Sequence, residues 1–179
     1  MLLNIDPAAP GPLTPGIRPR RRQIGALFGF LAASWLVSLL GSLPIRMNSA
    51  WYAAAVTAPW TPPGWMFSAA WMVLYASMAV AAWLVWRQQL FPRRDALKVY
   101  ASLLVLNLAW PIMFFGLYPV MGSAALWLAL AVIAAHAVLA VFAVLNFGPI
   151  STAAGVLMLP YVSWLLFSAS LNLYAALNN

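Results

Sequence analysis

The chain has 179 residues, 65% hydrophobic and only 6% charged, a balance that leaves too few polar groups for the water-facing surface of a single domain this size. Its formal net charge is +7, but the basic residues Arg18, Arg20, Arg21, Arg22, Arg46, Arg87, Arg93, Arg94 and Lys98 form short clusters beside apolar runs, which argues against a nucleic-acid face and for membrane topology. Cysteine is absent, so disulfides and thiolate metal sites are excluded.

Residues 1–23 carry Pro7, Pro10, Pro12, Pro15 and Pro19 with almost no apolar periodicity and are expected to form an extended Pro/Arg-rich tail. The apolar segment that follows is long and has no small-residue cleavage site, so the tail is not read as a signal peptide. That segment, 24–43, covers roughly 30 Å at a helical rise, the thickness of bilayer hydrocarbon. Further apolar runs at 65–86, 99–117, 121–145 and 150–177 make residues 24–179 one membrane domain. The predicted fold class is all-α: a compact bundle of five transmembrane helices in the lipid bilayer. The runs lack the alternation of barrel strands, and the short Gly- and Pro-marked breaks after the third and fourth imply antiparallel neighbours.

Four arginines precede the first span and four basic residues lie between the second and third, while the loop 44–64 holds only Arg46. Positive charge is retained on the inner side, so the N-terminus is expected to be cytoplasmic in a bacterial inner membrane, with loop 44–64 periplasmic.

His136 is the ionisable residue inside the spans, and the lack of intramembrane carboxylate, lysine or arginine argues against a proton-coupled pump. His136 is a candidate axial ligand for a haem or chlorophyll-type metal. The competing reading is a hydrogen bond to a neighbouring helix or backbone group, and no other metal site is expected. The loop AWYAAAVTAPWTPPGW sets Trp51, Tyr52, Trp60 and Trp65 beside Pro59, Pro62 and Pro63. An interfacial aromatic belt accounts for the rings, but Pro-Trp-Thr-Pro-Pro favours a stiff structured lid.

Within the spans, Trp71 and Tyr75 share a face of the second helix; Asn107, Trp110 and Phe114 follow i, i+3, i+7 on the third; Tyr161, Trp164, Ser168 and Asn172 lie close to one face of the fifth. Pro111 opposes the carbonyl of Asn107, and Pro160 precedes the fifth-helix group, so bends are expected beside the polar residues. Aromatic stripes in membrane helices are often packing. With two prolines and a lid, these are expected to line a pocket for a flat polycyclic ligand.

The ordered motifs WYAAAVTAPWTPPGW, FSAAWMVLY, NLAWPIMFFG and PYVSWLLFSASLN resemble those of the TspO/MBR family, the translocator or tryptophan-rich sensory proteins, over about residues 24–175. The resemblance implies a five-helix bundle, commonly a homodimer, with a pocket under the first loop for porphyrins such as protoporphyrin IX and haem. No cofactor is required. By motif position, Trp71 and Trp164 are similar to two pocket tryptophans associated with light- and oxygen-dependent porphyrin breakdown, making them candidate catalytic residues. Tyr52, Asn107 and Trp110 match other pocket positions, and Pro62 and Pro63 the loop that closes over it. Two departures stand out. A lysine common in the family before the first loop proline is Ala58 here, for which Arg46 is a candidate substitute, and Tyr174 lacks the basic partner of the animal cholesterol-recognition pattern.

Three functions are compatible with these residues: a tetrapyrrole-binding sensory or regulatory protein, a light-dependent porphyrin-degrading enzyme, and a structural subunit of a larger membrane pigment-protein complex.

Overall fold

The computed structural model describes residues 18–88 and 93–179. Residues 1–17 of the expected tail, on which the assembly-subunit reading leans, and 89–92 of the second loop lie outside them. Among the described residues, five helices are long and apolar enough to cross a membrane. In chain order the elements are α1 (Arg20–Met47), α2 (Ser49–Ala54), α3 (Gly64–Arg87), α4 (Arg93–Pro111) running into a π-helical turn (Ile112–Gly116), α5 (Tyr118–Met121), α6 (Ser123–Phe147) and α7 (Thr152–Asn178).

Several helices outrun their expected spans. Helix α1 starts at Arg20, inside the segment read as tail, and continues through Pro44 to Met47. Pro44 does not end it because Asn48 closes the added turn, its backbone N–H and its Nδ2 each donating to the Pro44 carbonyl at 3.1 Å. Helix α4 begins at Arg93 rather than near Val99, and Lys98 pairs with Asp95 one turn back at 3.0 Å. The irregularity expected around Asn107 falls after Pro111, where the backbone widens into the π turn. Helix α7 runs unbroken through Pro160. Gly122, at φ +58°, separates α5 from α6.

The five long helices pack in a closed ring in the order α1, α3, α7, α6, α4 and back to α1. With no aqueous driving force between helices in lipid, close backbone approach holds such a ring. Helix α6 presents Ala125, Ala129, Ala137, Ala140 and Ala143 to its neighbours, all buried. A Cβ on Gly155 would come within 2.9 Å of the Gly148 Cα, so α7 starts directly against the turn that ends α6. Met78, Leu103, Ile133, Met158 and Leu165 fill the interior between these backbones. Helix α1 is the loosest member, burying only Ser34 and Gly41. Ser34 Oγ lies 3.0 Å from the Tyr100 hydroxyl, which also reaches the Phe30 carbonyl at 3.1 Å, tying α1 to α4 at mid-depth. Outward Leu, Val and Phe side chains cover the rim, as a lipid solvent requires.

Candidate ligand cavity

Two adjoining pockets open within the ring and share part of their lining, the inner and outer lobes of one candidate site. The inner lobe, about 310 Å³, is walled by all five long helices: Gly41 of α1, Trp71 and Tyr75 of α3, Asn107 and Trp110 of α4, His136 of α6 and Leu165 of α7. The outer lobe, about 290 Å³, lies under the first loop, between Tyr52, Ala58, Thr61 and Pro62 above and Phe114, Ser168 and Asn172 below. Ile45, Phe67, Ser68 and Trp110 line both and form the waist. Among the described residues, no charged side chain lines either lobe.

The lining is made by helical spacing plus one close crossing. Asn107, Trp110 and Phe114 occupy successive turns, and the π turn after Pro111 keeps Phe114 inward, its ring stacked on Trp110 at 5.2 Å. A Cβ on Gly41 would sit 3.3 Å from Pro111 Cγ, so α1 and α4 touch there and the lobe opens beside the contact. Trp110 is held by its Nε1, which donates to Asn172 Oδ1 at 3.0 Å; Asn172 Nδ2 in turn donates to the Leu126 carbonyl at 2.9 Å.

A buried polar chain sits at the inner end. Asn107 Nδ2 donates to the Leu103 carbonyl at 3.0 Å and to the Tyr161 hydroxyl oxygen at 2.7 Å. The opposite amide orientation would set two oxygens against each other at Leu103, so this one is fixed. Both amide hydrogens are then used, and the Tyr161 hydroxyl lies 2.7 Å from His136 Nε2, closing a hydrogen-bonded chain Asn107–Tyr161–His136. Of the five polar side-chain atoms buried without a partner among the described residues, three belong to the aromatic and polar groups of the spans: Asn107 Oδ1, Ser168 Oγ and Trp164 Nε1. The first two belong to residues lining the inner and outer lobes respectively.

The loop over the outer lobe is anchored where it leaves α2. Trp51 stacks on Tyr118 with centroids 3.9 Å apart and donates from Nε1 to the Phe115 carbonyl of the π turn at 3.3 Å. Burial among these rings pushes the Tyr52 phenol above its ordinary pKa, so it stays protonated. A few residues on, Asn179 Oδ1 accepts from the Val56 N–H at 2.8 Å, while its Nδ2 donates to the Val56 carbonyl at 3.1 Å.

Of the residues singled out from sequence, Tyr52, Pro62, Trp71, Tyr75, Asn107, Trp110, Phe114 and Ser168 line the cavity, and Trp60, Pro63, Tyr161 and Trp164 do not. Trp60 is half exposed, donating to Ser170 Oγ at 3.3 Å with its ring against Tyr174. Pro63 caps the start of α3. Tyr161 is wholly buried one layer back, acting through Asn107 and His136. Trp164 is displaced because Leu165, the next residue, takes the inward position; its ring meets the wall residue Phe67 at 5.4 Å. Arg46, the candidate substitute for a cation at position 58, is exposed and off the lining. His136, the candidate axial ligand, has its Nε2 2.7 Å from the Tyr161 hydroxyl, the neighbouring-helix contact of the competing reading.

Sequence reasoning missed Phe67, Ser68, Gly41 and Ile45. Extending the Trp71–Tyr75 stripe back one turn reaches Phe67 and Ser68. Ser38, Gly41, Ser42 and Ile45 follow i, i+3, i+4, i+7 on α1, a small-residue stripe that the aromatic search passed over.

A family model described as TspO/MBR family matches residues 27–177. A translocator protein from Bos taurus is 34% identical over 148 residues, 80% of this chain and 84% of its own length. A tryptophan-rich sensory protein from Cereibacter sphaeroides is 33% identical over 146 residues, 82% of this chain and 86% of its own. A translocator protein from Ovis aries is 35% identical over 125 residues, covering 68% and 70%.

Proposed function

The chain belongs to the TspO/MBR family of integral membrane proteins, and from that premise we propose that it binds a porphyrin or haem in the two-lobed cavity and serves a sensory or regulatory role. The observation that carries this reading is the lining: aromatic walls from Trp71, Tyr75, Trp110 and Phe114, unmet hydrogen-bonding atoms on Asn107 and Ser168, and no charge among the described residues. Flat rings stack on indole and phenol faces, and a few convergent polar atoms fix orientation. A tetrapyrrole would lie across the waist at Trp110 and Phe67, with its carboxylates directed out under the loop toward water, because no cation among the described residues lines either lobe.

The protein acts as a porphyrin receptor without a resident cofactor, embedded in a bacterial inner membrane with its N-terminus cytoplasmic and working as a homodimer or in a larger membrane complex. A Cβ on Gly25 or Gly29 of α1 would meet nothing within 4 Å from the other described elements, which supports a second chain packing there.

Titrating detergent-solubilised protein with protoporphyrin IX in the dark tests binding. Saturable quenching of tryptophan emission is expected, weakened at least tenfold by Trp110→Ala; quenching that never saturates would refute the reading. One observation favours the degrading enzyme as second reading: Trp71 faces the inner lobe with its ring 6.3 Å from Tyr161, whose hydroxyl is hydrogen-bonded to His136. Illumination in air then yields a new absorbing product that Trp71→Phe suppresses, whereas a receptor alone leaves the porphyrin spectrum unchanged.

A further inference from the structure

We propose that the end of the bundle opposite the loop carries a binding site for the headgroup of an anionic phospholipid, built by Arg18 and Arg87. The backbone N–H of Arg18 meets the Arg87 carbonyl at 3.5 Å, bringing the residue before α1 against the end of α3. Trp83 of α3 reinforces the junction by donating from Nε1 to the Gln23 carbonyl at 2.8 Å. Each guanidinium lies over an indole of α3, Arg18 over Trp86 at 4.4 Å and Arg87 over Trp83 at 5.1 Å. Stacked in this way, the two planar forks are held in place before any ligand arrives.

Both forks have unmet donors. Arg18 Nε and Arg87 Nε are buried without a partner among the described residues. The sequence has two acidic residues in all, and of these Asp95 is committed to Lys98. Two fixed guanidinium groups with buried N–H donors and no carboxylate against them among the described residues call for an external oxyanion with several acceptor oxygens, and a phosphate diester satisfies both forks.

The apolar surface beside the site identifies the source of that phosphate. Ile24 and Phe28, in the first turns of the helix that follows Arg18, are 49% and 67% exposed, so α1 presents apolar side chains outward just past the arginines. A free phosphate has no use for that apolar surface, whereas acyl chains lie along it. Arg20, Arg21 and Arg22 add charge at the same level, where each basic residue strengthens attraction to an anionic leaflet. The site is separate from the cavity and stands whether or not the cavity takes a porphyrin.

Native mass spectrometry of the full chain, released from detergent carrying phosphatidylglycerol or phosphatidylcholine, tests the assignment. Phosphatidylglycerol is expected to survive as a bound adduct and phosphatidylcholine not. Arg18→Ala/Arg87→Ala should weaken retention about tenfold or more, and Arg18→Lys/Arg87→Lys should weaken it less, while Arg46→Ala at the other end leaves it unchanged. Circular dichroism of the double variant verifies that the bundle is intact. Equal retention of both lipids, full retention by a folded double alanine variant, or competition by inorganic phosphate at concentrations matching the lipid would each overturn the proposal.

Discussion

Tyr161 and Ser168 lie roughly two turns apart on α7, both buried, yet they predict opposite responses to losing a hydroxyl. Tyr161→Phe strands Asn107 Nδ2 and His136 Nε2 together, two partners the hydroxyl now satisfies. The expected cost is about 1–2 kcal/mol, read as a lower thermal midpoint in detergent. Ser168 Oγ has no partner among the described residues, so Ser168→Ala is expected to leave that midpoint unchanged or raised while weakening porphyrin binding. If both variants destabilise equally, Ser168 has a structural partner and is not waiting for a ligand. His136 illustrates the same logic: its helix position was legible in sequence, but whether it would face a metal or a phenol was not. That depended on Tyr161 arriving from α7.

At the scale of elements, the loop 55–63 is held by contacts far apart in sequence. Asn179 grips both backbone groups of Val56, and Trp60 rests on Ser170 and Tyr174, so α7 controls the cover of the outer lobe. Asn179→Ala is expected to speed amide hydrogen exchange across 55–61 and to raise the porphyrin dissociation rate severalfold. Exchange in α6 should not change, because nothing there depends on the latch. Gly41→Val tests the α1–α4 crossing in a complementary way. A Cβ already 3.3 Å from Pro111 forces the helices apart or fills the inner lobe, and the added methyl groups worsen either outcome. The variant should lose porphyrin quenching while its helical dichroism persists. The prolines of the sequence forecast irregularity at α4 correctly in kind but not in form: the bend expected at Asn107 is a π turn after Pro111, whose Phe115 carbonyl then serves as acceptor for Trp51.

For the whole molecule, the ring order α1, α3, α7, α6, α4 puts the first and last spans on either side of α3 and opens the cavity between all five. The proposed orientation can be checked because the chain has no cysteine. Thr57→Cys should react with an impermeant maleimide from the periplasmic side of intact spheroplasts, and Lys98→Cys only after lysis. The reverse pattern would invert the topology and move the arginine site to the outer leaflet.

The number of spans, their approximate limits and the concentration of aromatic residues in four ordered motifs were determined by the sequence alone, because span length and composition are local properties that lipid reads directly. Helix limits shifted where a later residue closed a turn, as Asn48 does after Pro44. Which face of each helix turns inward was decided only by the tertiary structure. In lipid the outer surface is as apolar as the core, so periodicity carries little of the signal that amphipathic helices show in water. Trp71 and Trp164 look alike in sequence, and only the ring of helices turns one into the cavity and leaves the other behind Phe67.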